Sequence, residues 1–297
     1  MANIYDETHD LFRASFRAFV GAEMSPHAEE WEAAGITDRS VYAKAGQHGF
    51  TGMAVPEKHG GGGVDDFRFN AVISEELARA GLGGAGLGLT LHNDVTTPYF
   101  LEYCDEEQAA RWLPGIASGE LITAIAMTEP GTGSDLASIA TSAVRDGDEY
   151  VVNGAKTFIT NGINSDLVIT VCRTGEGRSG LSLIVLERGM EGFERGRNLD
   201  KIGQHSADNA ELFFSDVRVP VRNRLGDSQS AQDEGEVGGL SGGSEAVSAD
   251  GGATMASLVD TGDGESVGDQ QLGDRAEIVD VVREAVDEHH PGGPRRR

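Results

Sequence analysis

Residues 126–136 read Ala-Met-Thr-Glu-Pro-Gly-Thr-Gly-Ser-Asp-Leu, and residues 156–162 read Lys-Thr-Phe-Ile-Thr-Asn-Gly. The first segment ends an apolar run, Leu121 to Met127, with a hydroxyl at Thr128, small hinges at Gly131 and Gly133, and a further hydroxyl at Ser134. Glycine lets backbone N–H groups approach a ligand closely, and hydroxyls bond ring or phosphate oxygens. The second segment is a short strand-like run that carries Phe158 two residues before Thr160. Alternate residues of a strand share a face, so this spacing predicts that the Phe158 ring and the Thr160 hydroxyl address one flat ligand. Taken singly, each reads better as a turn glycine, a strand threonine or a core aromatic. Their joint spacing favours the ligand site.

Around these segments the period of the apolar residues changes once. Thr8 to Met24 places Leu11, Phe12, Phe16, Phe19 and Val20 at helical spacing, and Val41–His48, Phe67–Ala80, Leu82–Tyr103 and Glu106–Ser118 also read as helices. From Leu121 the pattern is of short strands: Leu121–Met127, Ser138–Arg145, Tyr150–Ile159, Leu167–Arg173, Leu181–Glu187 and Ala210–Val219, with Asp-Gly and Asn-Gly turns between. Helices first and strands afterwards predict segregated units of an α+β fold, not alternating βαβ units. Gly81-Leu-Gly-Gly-Ala-Gly86 satisfies a dinucleotide spacing, but it follows a helix and so reads as small-residue packing. Gly60 to Gly63 lacks the ending of a phosphate loop and reads as a mobile connection. His92 and Asp94 suggest an acid–base pair, yet two residues apart on a helix their side chains diverge, and surface or pocket lining is the expectation.

With these residues the chain resembles the acyl-CoA dehydrogenase family, most closely its long-chain branch. Further matching pieces are Pro56-Glu-Lys-His-Gly-Gly61, Leu91-His-Asn-Asp94, Arg111-Trp-Leu-Pro-Gly-Ile-Ala-Ser-Gly-Glu120, Lys201-Ile-Gly203 and Glu211-Leu-Phe-Phe-Ser-Asp-Val-Arg-Val-Pro220. The resemblance runs from about Asp6 to Asp227. It implies a helical N-terminal domain over residues 1–120 and a middle β-barrel or sandwich-like domain with the flavin loop over 121–227. It also implies FAD as cofactor. Met127, Thr128, Gly133, Ser134, Phe158, Ile159 and Thr160 would line it: the Thr128 and Thr160 hydroxyls on the ring, Phe158 over one face, backbone groups of Met127 and Gly133 along the ring and phosphates. Ser134 would touch both cofactor and thioester. The implied reaction is α,β-dehydrogenation of a fatty acyl-CoA to trans-2-enoyl-CoA in fatty acid β-oxidation, with an electron-transferring flavoprotein as acceptor and a homo-oligomer as the assembly. Glu129, a carboxylate within the motif, is not the family's proton acceptor and is expected to order the loop. Gln204 and Asn209 depart from the family pattern, the latter where threonine is usual.

After Asp227 the resemblance stops. Phe214 is the last aromatic residue, and Gly, Ser, Asp and Glu dominate from Ser228 to Asp274. Such a composition buries too little apolar surface to offset chain ordering, so 228–297 is expected to be a mostly disordered acidic tail. Within it, Asp274 and Glu277 can form a capping box for a short helix near 275–286. The family's catalytic glutamate belongs to a third, helical domain with no counterpart in this sequence, so no catalytic residue is assigned. A reading-frame change after Leu225-Gly226 would produce so abrupt a shift. Two expectations of different kinds follow: a working dehydrogenase whose base is a replacement carboxylate or comes from a partner subunit, or a truncated, inactive remnant that binds flavin or acyl-CoA weakly or serves as an interaction scaffold.

Charge narrows the remaining classes. The net charge is −25, with 34 acidic and 19 basic residues in 1–227, so the excess is not confined to the tail. Only four lysines, Lys44, Lys58, Lys156 and Lys201, accompany twenty arginines. An acidic, lysine-poor surface predicts a halophilic cytoplasm. No clustered basic footprint suits a nucleic-acid backbone. Cys104 and Cys172 lie far apart and read as small buried thiols of a reducing compartment. The N-terminus carries acidic residues where a signal peptide is basic, and no apolar run reaches membrane-spanning length, so a soluble cytoplasmic protein without a membrane span is expected.

Overall fold

The computed structural model describes residues 4–176 and 180–226. The expected tail and its short helix lie outside the described residues. Helices come first: α1 (Glu7–Phe19), α2 (Ala28–Ala34), α3 (Ser40–Gln47), α4 (Arg68–Arg79), α5 (Gly83–Thr90), α6 (Thr97–Tyr103) and α7 (Glu106–Ala117). Strands follow: β1 (Thr123–Ala126), β2 (Ser142–Asp146), β3 (Glu149–Thr160), β4 (Leu167–Arg173), β5 (Leu181–Glu187), β6 (Phe193–Asn198), β7 (Asn209–Pro220) and β8 (Arg224–Leu225). The segregated α+β order expected from the apolar periods is the order observed.

The first helix starts where Asp6 accepts the N–H groups of Thr8 and His9 at 3.0 and 3.3 Å, satisfying donors that have no partner within the helix. Phe12, Phe16 and Phe19 are buried on one stripe, and the Phe12 and Phe16 rings meet Phe50 edge-on at 5.4 and 5.0 Å. Leu11, grouped with them by spacing, points outward and is half exposed. The predicted single helix over 82–103 is three pieces, because Leu91–Thr96 is a wider π turn between α5 and α6. Its cause is local: Thr97 donates its hydroxyl to the His92 carbonyl at 2.6 Å, and Pro98 has no N–H to offer the preceding turn. The α2 helix was not legible from apolar spacing, since Trp31 is its only buried residue. Gly60–Gly63 is a held turn, not a loose connection: Gly63 N–H donates to Val55 O at 2.9 Å and Val64 N–H to Met53 O at 2.8 Å.

The strands form one sheet in the order β6-β7-β3-β2-β4-β5-β8, with β1 parallel beside β4. Residues from opposite ends of that order, Phe193 on β6 and Leu186 on β5, share one buried cluster with Val152, Val168 and Leu212, so the sheet curls around its own core. This is the barrel- or sandwich-like packing expected for the second unit. Alternation is lost in β4, where Leu167 to Cys172 are all buried. Val168 and Cys172 face the sheet core, whereas Leu167 and Ile169 pack on Phe100, Trp112 and Ile116 of α6 and α7, so both faces are covered. That shared cluster joins helices to sheet. Polar links reinforce it: Arg39 to Asp166 at 2.8 Å, and Glu32 accepting the N–H groups of His205 and Ser206 at 2.8 and 2.9 Å. The β2 strand begins at Ser142 and not at Ser138, because residues 136–138 make a 3₁₀ turn. The β6 strand, Phe-Glu-Arg-Gly-Arg-Asn, has no apolar alternation and exists through pairing with β7.

Candidate functional site

The chain leaves β1 at Ala126 and enters the loop that carries most of the expected ligand contacts. Met127 is half-buried against the α6–α7 cluster. Glu129 and Thr132 exchange backbone hydrogen bonds at 2.9 and 3.1 Å, which narrows the loop, and the Thr132 hydroxyl donates to Ser138 O at 3.1 Å. Gly131 and Gly133 are exposed, and no atom lies within 4 Å of where a Cβ would stand on either. Ser134 is exposed beside them. The loop therefore presents backbone and hydroxyl to the outside while its base is fastened inside.

The fastening is Glu129. Its carboxylate, on a residue only 7% exposed, accepts Ala140 N–H at 2.8 Å, Thr141 N–H at 2.9 Å and Lys156 Nζ at 2.9 Å. Burial pushes the Glu129 carboxyl up, but its contacts with Thr141, Ala140 and Lys156 outweigh burial and hold it below the ordinary glutamate value. Burial likewise pulls the Lys156 ammonium down, with Glu129 opposing. Glu129 has the loop-ordering geometry expected of it, and its oxygens are occupied by donors.

On β3 the strand argument for Phe158 and Thr160 needs correction. The register against β7 slips between Lys156 and Ile159, and Phe158 lies at φ +59°, in the left-handed region. Tyr150, Val152 and Lys156 are buried at even spacing, and the next buried core residue is Ile159, three residues on, so one extra residue is inserted after Lys156. The bulge, not simple alternation, turns the Phe158 ring outward, where it is 67% exposed. Ile159 is buried with its side chain in the sheet core, so only its backbone can serve a ligand. Thr160 is half-buried and its hydroxyl accepts from Asn209 Nδ2 at 2.9 Å, leaving its own hydrogen to donate. Asn209 thus orients the hydroxyl. The two segments touch directly: Thr157 N–H donates to Thr128 O at 2.9 Å.

Behind the site lie residues that the motifs did not single out. Asn161, at φ +60° and 1% exposed, receives the Tyr42 hydroxyl at 2.7 Å and donates to Gly88 O and Thr123 O at 3.0 Å each. Asp208 accepts the N–H groups of Ile163 and Asn164 and so closes the turn after Thr160. His92 is fully buried, which excludes the surface half of the expectation for it. Its ring lies 3.0 Å from Ile116 O and 2.8 Å from Thr123 Oγ1, and burial pushes its pKa down to about 4. Asp94 points elsewhere, accepting Asn70 Nδ2 at 2.7 Å, and burial pushes its carboxyl up to about 6. The pair is not a couple. Cys172 is buried and Cys104 half-buried. Among the described residues no cluster of His, Cys, Asp or Glu could hold a metal ion, and no helix is long and apolar enough to cross a membrane.

A helical unit packed on a curled sheet, with an outward aromatic beside a hydroxyl-bearing loop, defines a class of α+β chain built from an N-terminal and a middle unit. Residues 6–120 match the acyl-CoA dehydrogenase N-terminal domain and residues 124–217 the acyl-CoA dehydrogenase middle domain. The chain belongs to the acyl-CoA dehydrogenase family. It is 47% identical over 228 residues to the long-chain specific acyl-CoA dehydrogenase, mitochondrial, of Mus musculus, covering 75% of this chain and 52% of that one. A crystal structure of acyl-CoA dehydrogenase from Geobacillus kaustophilus is 52% identical with a TM-score of 0.74, covering 76% of this chain and 60% of the other. A structure described as the electron transferring flavoprotein of Acidaminococcus fermentans, towards a mechanism of flavin-based electron bifurcation, is 35% identical with a TM-score of 0.72, covering 76% and 60%. The chain spans about half the length of the curated relatives it matches.

Proposed function

We propose that this chain holds FAD and contributes to α,β-dehydrogenation of a fatty acyl-CoA thioester to the trans-2-enoyl-CoA, as in fatty acid β-oxidation. The observation that carries the reading is the joined pair of segments. Thr157 N–H ties to Thr128 O, which brings the exposed Phe158 ring and the Thr160 hydroxyl alongside the open 131–134 loop. An aromatic ring turned outward at the cost of a left-handed backbone needs a partner, and a flat ring system of matching size is the fitting one. The residues present therefore suit a flavin.

FAD, when bound, supplies the acceptor for a hydride from the substrate β-carbon. The chain's own residues place the reactants. The Thr128 and Thr160 hydroxyls would donate to the ring, and Phe158 would cover one face of it. Backbone groups of Met127, Gly133 and Ile159 would line the ring and phosphate region, and the exposed Ser134 would reach both cofactor and thioester. Glu129 is not the general base. It is buried, and its carboxylate accepts three hydrogen bonds from inside the fold, which commits it to fastening the loop. The base, an electron-transferring flavoprotein as acceptor and a homo-oligomeric assembly are features of the whole enzyme that this reading takes over. The acidic, lysine-poor composition supports a cytoplasm of high salt.

A second reading, flavin or thioester binding without turnover, is favoured by the aromatic-free composition of 228–297, where the family places helices that bear the base. Visible absorption of the purified chain in high salt separates the two. A yellow protein that bleaches on anaerobic addition of a long-chain acyl-CoA supports the dehydrogenase. A yellow protein that stays yellow supports binding alone, and a colourless one refutes the flavin site.

A further inference from the structure

We propose that Lys156 is a positioning residue for the ligand-facing loop, its buried ammonium pinning Met127 and Glu129 of one segment against the Phe158 bulge of the other. The inference rests on the flavin reading of the site. Lys156 is fully buried, and its Nζ stands 3.0 Å from Met127 O and 2.9 Å from Glu129 Oε1. The next residue repeats the grip: Thr157 N–H holds Thr128 O at 2.9 Å. Two successive carbonyls of the loop are thus held by two successive residues of β3.

Lys156 lies inward on the regular alternation of Tyr150 and Val152, still in register with Leu212 of β7, and Thr157 meets the loop through its backbone N–H. The register slips just after Lys156, and Phe158, which unbroken alternation would turn inward beside it, takes φ +59° with its ring outside. The grip on the loop and the bulge that re-aims the ring are therefore neighbours on one strand. Bulges of this kind re-aim a side chain beside functional sites.

Stability alone is a weak reason to keep such a pair. Taking an ammonium and a carboxylate out of water costs several kcal/mol for each, and well-packed apolar residues of similar size often serve a fold equally well or better. What an apolar replacement cannot do is hold the Met127 carbonyl in a set direction. Glu129 keeps its two backbone donors, Ala140 and Thr141, whether or not Lys156 is present. Loss of the ammonium therefore frees the Met127 carbonyl and one side of Glu129, and loosens the start of the 127–132 stretch.

The test compares the full chain with Lys156→Met, which removes the ammonium at nearly constant volume and leaves Glu129 its two backbone donors, and with Lys156→Arg, which keeps the cation. Three quantities are read: the melting temperature, deuterium exchange of the amides between Met127 and Thr132 without flavin, and the FAD dissociation constant from quenching of flavin fluorescence. Lys156→Met is expected to melt within a few degrees of the unchanged chain, to exchange tenfold or more faster between Met127 and Thr132, and to bind FAD at least tenfold more weakly. Lys156→Arg is expected to retain most of the exchange protection. Unchanged exchange in Lys156→Met overturns the proposal, as does faster exchange with unchanged FAD binding. A melting temperature lowered by more than 10 °C also overturns it, since the pair would then be serving the fold as a whole. If the unchanged chain takes up no FAD, the flavin reading fails by itself, and the exchange comparison alone decides whether Lys156 pins the loop.

Discussion

Replacing Asn161 with alanine should be among the most damaging single changes to the described fold. The Asn161 side chain joins three elements that are far apart in sequence: Tyr42 on α3 donates to it at 2.7 Å, and it donates to Gly88 O on α5 and Thr123 O on β1 at 3.0 Å each. Asn161 and Tyr42 are 1% and 3% exposed, so water cannot replace what is lost. An orphaned buried donor or acceptor costs roughly 1–3 kcal/mol, and the Tyr42 hydroxyl lies at the upper end, since carbonyl oxygens keep a second lone pair for other bonds. The backbone adds to this. Asn161 sits at φ +60°, a conformation that costs alanine about 1–2 kcal/mol and that asparagine tolerates. Together these give a loss of about 5 kcal/mol. At about 2–4 °C per kcal/mol for a chain of this size, the melting temperature should fall by about 10–20 °C. Thermal denaturation followed by circular dichroism measures it. Asn161→Gly apportions the loss, because it keeps the left-handed backbone free of strain and should recover only the last 1–2 kcal/mol. A drop below about 3 °C for Asn161→Ala, or full recovery by Asn161→Gly, would refute the hydrogen-bond argument.

Three further outcomes follow from the charges and the bulge. Hydrogen bonds from Arg17, with Arg79 and Arg13 adding to them against burial, hold the Glu76 carboxyl down to about 2, so its contribution is whole above about pH 4.5 and disappears as pH falls toward 2. It amounts to at most on the order of 3 kcal/mol, and Glu76→Gln should flatten the acid limb of a stability–pH curve over that window. Asp94 has the opposite sign: burial raises its carboxyl to about 6, so stability falls as pH rises from about 4 to 6. Asp94→Asn should therefore raise the melting temperature at pH 8 and leave it nearly unchanged at pH 4, and equal shifts at both would show that titration is not the cause. Phe158→Gly relieves a left-handed phenylalanine while deleting an exposed ring, so the melting temperature should move by less than 3 °C while FAD affinity falls tenfold or more. A large loss of stability would mean that the ring serves the fold.

The parts legible in the sequence are those whose signal is local. The α1 stripe of Phe12, Phe16 and Phe19, the shift from helical to strand period near Leu121, and the hydroxyl–glycine run of 128–134 each depend on neighbours within one turn or one loop. What escaped depends on pairing. The β6 strand is polar, with Gly196 in its middle, and becomes a strand because β7 lies beside it. Phe158 reads as sharing a strand face with Thr160 until the slip against β7 turns its ring outward, and His92 reads as surface or pocket lining until α7 and β1 close over it. The sequence by itself determined the family, the order of helices and strands, and which side chains carry hydroxyl and aromatic chemistry, because side-chain identity and short-range period are written along the chain. Only the tertiary structure decided which way those side chains point and which charges are buried. Orientation at Phe158 and burial at Lys156 follow from β3 pairing with β7 across some fifty residues, a constraint that no local window contains.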